Sequence, residues 1–135
     1  VVETMRGHML GHVIYRGGAL PNTNIPGLIG GFAGERVLRA PCDGVFTAVH
    51  RIGDTVTEGE TIGFVEGMPM RCTISGVLRG VLDDGVRVHK GMKSGDVDPR
   101  GRTEYCNTVS DKALAVGGGV VEAVLYLNAK KQGRR

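Results

Sequence analysis

Three groups of residues in this chain are of types and spacings that do chemistry. The thiols Cys42, Cys72 and Cys106 come first. A thiolate is a nucleophile, and its strength is set by its surroundings. Cys106 stands four residues ahead of an expected helix start at Ser110, where a helix dipole would favour the thiolate. Cys42 lies between Pro41 and Asp43, and a neighbouring carboxylate favours the neutral thiol. Either serves equally well as a small buried hydrophobe. The count is odd, with no CxxC pair and no signal-peptide pattern. That usage suits free thiols in a reducing compartment, so a cytoplasmic location is expected.

His8 and His12 form the second group. A spacing of four puts both on one face of a helix or a strand, as two metal ligands require. No Glu follows His8 as in HExxH, so a third ligand would come from elsewhere. Ordinary polar strand residues are the alternative. The third group is the loop through Asn22 and Thr23, with Arg36 and Arg39 after it. Its amides and forked guanidinium groups suit a phosphate or a carboxylate. The competing reading is a structural loop, with Asn and Pro making turns and Arg capping carbonyls. Gly117–Gly119 could cradle a phosphate at a helix start, but no Lys-Ser/Thr follows, so close packing fits better.

What must position these groups is legible in composition and repetition. The chain has 135 residues, enough for one domain with a real core. Glycine contributes 23 residues and Trp none, with three Tyr and three Phe. The core is therefore built from Val, Ile, Leu and Ala between many tight turns. With 41% hydrophobic and 23% charged residues, bulk disorder is excluded. No apolar run approaches the length of a bilayer crossing, so no membrane-spanning helix is expected. The net charge of +3 is more than accounted for by Lys130, Lys131, Arg134 and Arg135 in the tail. The body is near neutral, and no nucleic-acid or membrane partner is expected.

An internal repeat organises the middle of the chain. Gly44, Gly53, Gly59 and Gly63 recur at Gly76, Gly85, Gly91 and Gly95, always 32 residues on. Val45, Val56 and Val65 recur at Val77, Val88 and Val97 with the same offset. The two copies run over 39–66 and 71–98. Each alternates short apolar strands with turn dipeptides such as Gly53-Asp54 and Asp84-Gly85. Four strands per copy, eight in all, predict two interlocked half-sheets. Neither half covers its own apolar face, so a pseudo-twofold sandwich or flattened barrel follows.

Three segments result: an N-terminal strand and Pro/Gly loop over 1–36, the repeat domain over 37–100, and a C-terminal strand, helix and basic tail over 101–135. Met9–Arg16 reads as a strand, and Cys106–Val109 as another. Asp96–Arg100 reads as a turn closing the second half. Ser110 is a helix N-cap with Asp111 in the first turn, and Lys112–Lys131 is a helix candidate. Gly117–Gly119 would either break it or let another backbone approach. Its apolar residues lie nearly all round, so a cover is expected, and another subunit could provide it. The chain opens on Val1 and reads as part of a longer strand-rich protein.

Two resemblances follow from these motifs. The run Ala40-Pro41, Gly44, Gly53-Asp54, Val56, Gly59, Val65-Glu66, with its second half, resembles the biotinyl/lipoyl carrier, a barrel-sandwich hybrid. The carrier's acylated Lys would fall on the hairpin Glu66-Gly67-Met68-Pro69-Met70. Pro69 stands in its place, so neither biotin nor lipoate is expected. Lys90 and Lys93 are the nearest lysines.

The wider sequence is similar to the C-terminal half of the selenium-dependent molybdenum hydroxylase system protein, a YqeB-type molybdenum cofactor accessory protein. The likeness runs from about Val1 to Leu127. It is carried by "VVETMRGHMLGHVIYRGGALPNTNIPG", "GGFAGERVLRAPCDGVF", "GMKSGDVDPRG" and "EYCNTVSDKALAVGGGVVEAVL". His12 departs from an expected Arg. The family's dinucleotide-binding N-terminal half, with its GxGxxG, is missing from this sequence.

The resemblance implies a mainly β accessory protein that helps mature molybdenum hydroxylases. This chain would be its non-catalytic binding or docking module. Its partners would be the hydroxylase or its cofactor-assembly proteins, and the missing half. It implies selenium or a molybdopterin as cofactor, the pterin meeting Asn22, Thr23, Arg36 and Arg39. The alternatives are a selenium- or sulfur-insertion enzyme acting through Cys106 or Cys42, and a swinging-arm carrier.

Overall fold

The computed structural model describes residues 1–23 and 25–133. The chain forms two units: Ile25–Thr108, and Val1–Asn24 together with Val109–Arg135. The first unit therefore takes in the end of the N-terminal loop and the start of the C-terminal segment. Arg134 and Arg135 of the basic tail lie outside the described residues.

The Ile25–Thr108 unit has the eight strands that the repeat predicts. They are β1 (Val37–Arg39), β2 (Gly44–Ala48), β3 (Thr55–Val56), β4 (Thr61–Val65), β5 (Met68–Arg71), β6 (Gly76–Val81), β7 (Arg87–Val88) and β8 (Lys93–Asp98). They make two antiparallel sheets, ordered β1-β8-β6-β3 and β5-β4-β2-β7. Exchanging each strand for its repeat partner converts one order into the other. Each sheet draws two strands from each copy, so the halves are interlocked. The edge strand β3 of the first copy pairs with β6 of the second, through Thr55↔Val77. Its counterpart β7 pairs with β2, through Val45↔Arg87.

Neither copy can fold alone, because the inward side chains of each sheet need the other sheet. Phe46, Leu38, Ile62, Leu78, Val65 and Val97 fill the interior and are fully buried. With one aromatic ring among them, close packing between neighbouring strands of a sheet depends on glycine. A Cβ at Gly63 would sit 2.6 Å from the Phe46 ring. The architecture is mainly β and barrel-sandwich-like, with no closed barrel.

The second unit is built on α1 (Asp111–Gln132). Ser110 caps it, its hydroxyl accepting from Ala113 N at 3.2 Å. Arg6 pairs with Asp111 in the first turn. The Tyr15 hydroxyl donates to Glu122 at 2.9 Å, and its ring lies 4.4 Å from that of Tyr126. The helix is not broken at Gly117–Gly119. A Cβ at Gly119 would overlap the Gly11 carbonyl oxygen, so that glycine admits a backbone.

Two expected strands are absent. In Met9–Arg16 only a single bridge forms, Val2↔Val13. Residues between fold back as a loop, with Glu3 N donating to His12 O at 3.0 Å and Gly11 N to Glu3 O at 2.9 Å. Gly7 and Gly11 take φ of +143° and +83°, which bends the chain away from an extended path. Cys106–Val109 is not a strand either: Cys106 ends the 3-10 helix Thr103–Cys106. The absence of a long apolar run did not settle the membrane question. By length and composition alone, the helical stretch Thr103–Gln132 is long and apolar enough to cross a membrane.

Candidate functional site

The hairpin that carries the acyl-lysine in the carrier fold joins β4 to β5. Glu66 and Gly67 form its turn with φ of +48° and +79°, the left-handed pair that a two-residue hairpin prefers. Phe64 lies opposite Pro69 and Val65 opposite Met68. Pro69 is tolerated because β5 is an edge strand, where a missing N–H costs no ladder bond. The tip thus offers a proline ring, a thioether and a carboxylate, and no amine. Lys90 sits in a different turn, its backbone N–H donating to Asp43 at 2.6 Å.

The arginines assigned to ligand contact have local partners. Arg36 is 5% exposed. Its Nη2 meets Asp96 at 3.0 Å, its Nε donates to Val97 O at 3.3 Å, and its Nη1 to Gly27 O at 3.3 Å. Arg39 is exposed, and its Nη1 donates to Gly91 O at 2.9 Å. Asn22 and Thr23 are exposed and belong to the other unit. The four residues are therefore not assembled within one unit.

Of the thiols, Cys72 is buried and Cys42 and Cys106 are half-buried. Cys42 Sγ lies 3.4 Å from Val65 O and Cys106 Sγ 3.9 Å from Leu78 O, so each S–H points to a carbonyl. Cys106 sits at the carbonyl end of its own 3-10 helix. Cys72 is buried in the core. Burial, with the charge of Glu60, pushes its thiol up to about 11. At mildly alkaline pH that rise from 9.0 lowers its thiolate fraction roughly a hundredfold. Iodoacetamide labelling read by peptide mass spectrometry is expected to modify Cys72 last, at least tenfold behind Cys42 and Cys106. His8 and His12 are both exposed, with ring centres 6.1 Å apart. Among the described residues no group of three or more His, Cys, Asp or Glu is placed to hold a metal ion.

Two charged clusters carry more of the local electrostatics than the residues singled out from sequence. Asp98 is fully buried. It accepts from Arg100 Nε at 2.9 Å, Nη2 at 2.6 Å and backbone N at 3.1 Å, with Arg79 at 3.6 Å. These arginine bonds hold its carboxyl below the ordinary 3.8. His50 bridges Asp54 at 3.3 Å and Glu60 at 3.1 Å, tying two turns together. Backbone donors Arg51 N and Thr57 N also lower Asp54 and Glu60. The Asp-Pro-Arg turn was the only sequence signal for the first cluster, and the His-x3-Asp spacing for the second.

The sign of the pH dependence follows. A carboxyl lowered in the folded state binds its proton more readily once unfolded, so it stabilises the fold above its ordinary value. That stabilisation is lost as pH falls through the folded value. The thermal midpoint is expected to hold steady above the ordinary 4.5 of Glu60 and to fall steeply below the 3.8 of Asp98. Asp98→Asn should flatten that acid limb while lowering the plateau.

No family model matches the chain. It is 47% identical over 127 residues, 94% of its length, to the uncharacterized protein YqeB of Escherichia coli (strain K12). The chain is similar to one stretch of YqeB. It spans about a quarter of that protein, 24% of its length. The matched stretch takes in the repeat over 39–98.

Proposed function

We propose that the chain is a non-catalytic docking module of an accessory protein that matures selenium-dependent molybdenum hydroxylases. The maturation role comes from the resemblance of its motifs to that system. The docking reading is supported by one observation: the β4–β5 hairpin, where the resemblance places the carrier's amine, offers an apolar surface instead. Phe64 is 38% exposed beside Pro69, with Met68 and Val45 exposed nearby. Arg36 and Asp98 are buried in the unit and are bound by its own groups. Such a surface suits recognition of a folded partner.

The test uses purified molybdenum hydroxylase lacking its selenium, immobilised, with the 135-residue chain in solution. Saturable binding that Phe64→Asp weakens at least tenfold supports docking. Absence of binding, or binding indifferent to Phe64→Asp, overturns it. Loss of hydroxylase maturation in the Cys42→Ser, Cys106→Ser double variant, with binding intact, would replace docking by thiol-dependent insertion.

A further inference from the structure

The repeat lets one face of the β unit be read from the other. Its twofold relation holds down to single bonds. Arg39 Nη1 donates to Gly91 O and Arg71 Nη1 to Gly59 O, each at 2.9 Å, with donors and acceptors exchanged at the offset of 32. Lys90 N donates to Asp43 and Glu58 N to Ser75 in the same relation.

The outer faces of the two sheets break that symmetry. On the β1-β8-β6-β3 sheet Val37, Val77 and Asp98 are buried, and both valines lie outside the interior cluster. Their counterparts Pro69, Val45 and Glu66 are exposed. The contrast is largest for the valines of β6 and β2: Val77 is 1% exposed and Val45 39%. The cause lies outside the repeat, in the segments that flank it. Arg36 reaches Asp96 and Val97 O, Arg100 grips Asp98, and Cys106 Sγ meets Leu78 O. By the offset, Pro99-Arg100 after Asp98 corresponds to Gly67-Met68 after Glu66. The second copy thus turns an arginine back onto its carboxylate, whereas the first runs on into β5.

The covered sheet therefore shows what the open one lacks. Glu66 is the counterpart of Asp98. It accepts from Val45 N at 3.0 Å, which fixes its carboxylate at the end of the open face. Among the described residues it forms no ion pair, and neither does Arg87, which lies opposite Val45 on β7. Phe64 is the counterpart of Asp96, so the place that Arg36 fills on the covered sheet calls for an apolar group here. Arg36 and Arg100 are already engaged, so these groups must come from another molecule.

We propose that the outer face of the β5-β4-β2-β7 sheet receives a polypeptide segment of the docking partner that carries an arginine, its guanidinium on Glu66 and an adjoining apolar side chain over Val45 and Phe64. This rests on the docking reading and names the chemistry of the segment that docks. A carboxylate and an arginine brought together beside an apolar patch shed water on contact, which strengthens their forked hydrogen bonds.

An array of random peptides probed with the full chain tests it. The peptides that bind are expected to be enriched in Arg next to an aliphatic or aromatic residue. Glu66→Gln retains an acceptor for Val45 N and should weaken them about tenfold with an unchanged unfolding midpoint. Should that midpoint move, Val45→Lys decides, since it sets a like charge beside the incoming guanidinium from an exposed strand position and should weaken them as much. Glu66→Arg should redirect selection to peptides with Asp or Glu in place of the Arg. Absence of bound peptides, selection without Arg, or binding indifferent to both Glu66→Gln and Val45→Lys overturns the proposal. So does selection of acidic peptides that Arg87→Ala abolishes, which would give the face to a partner of the opposite charge. The two readings fail separately. Hydroxylase binding that needs Phe64 but not Glu66 overturns the arginine segment alone. Arginine peptides held by Glu66, with no binding of the hydroxylase, uphold the segment and overturn only the partner named above.

Discussion

Gly76→Ala is expected to lower the stability of the β unit by about 3 kcal/mol, the upper part of the range for forcing atoms into a packed site. Gly76 opens β6, and a Cβ there would overlap the Asp98 carbonyl oxygen and lie 2.8 Å from its carbon. The obstacle is backbone, so no rotamer change relieves it. The Asp98 segment cannot retreat easily either, since its carboxylate is tied to Arg100 and faces Arg79. Gly80, four residues on in the same strand, is the control. A Cβ there finds its nearest neighbour at 3.8 Å, ordinary contact distance. Gly80→Ala should fall within about 0.5 kcal/mol of the parent. Guanidinium chloride unfolding followed by circular dichroism separates the two. Equal effects would mean that β6 and β8 do not approach at Gly76 as closely as described.

That contrast shows why the fold was legible. The glycines at offset 32 recur because the same local demands recur: Gly53 and Gly85, and Gly59 and Gly91, take positive φ in open turns, while Gly63 and Gly95 are each crowded by a neighbouring strand. A twofold core writes its constraints twice, and a single sequence displays both copies. The cap at Ser110 was legible because capping is local. What failed was non-local or depended on a partner. Met9–Arg16 has the apolar residues of a strand but gains only one bridge, and Gly7 and Gly11 turn it aside. The candidate site was less legible than the fold. Arg36 could be read as a ligand contact because its partner Asp96 lies 60 residues away. No spacing rule links them. Cys42 and Cys106 drew attention as reactive atoms, while the carbonyls of Val65 and Leu78 that receive them are visible only once the strands are paired.

Arg36→Ala is expected to cost about 3 kcal/mol, the usual effect of leaving one member of a buried ion pair without the other. The guanidinium makes three kinds of contact at once: the Asp96 carboxylate, the Val97 carbonyl near the end of β8, and the Gly27 carbonyl of the preceding loop. It therefore fixes where the chain enters β1 as well as neutralising Asp96. Asp96→Ala should cost less, because the arginine it strands keeps its bonds to the Val97 and Gly27 carbonyls. In the double variant neither charge is orphaned, so the two losses should fall short of additive by at least 1 kcal/mol. A ligand-binding arginine behaves differently. Its removal would leave the unfolding midpoint unchanged, show no coupling to Asp96, and appear only when a phosphate-bearing ligand is added. Additive effects in the cycle would return Arg36 to the ligand-contact reading, and the network with Asp96 would then be incidental to the fold.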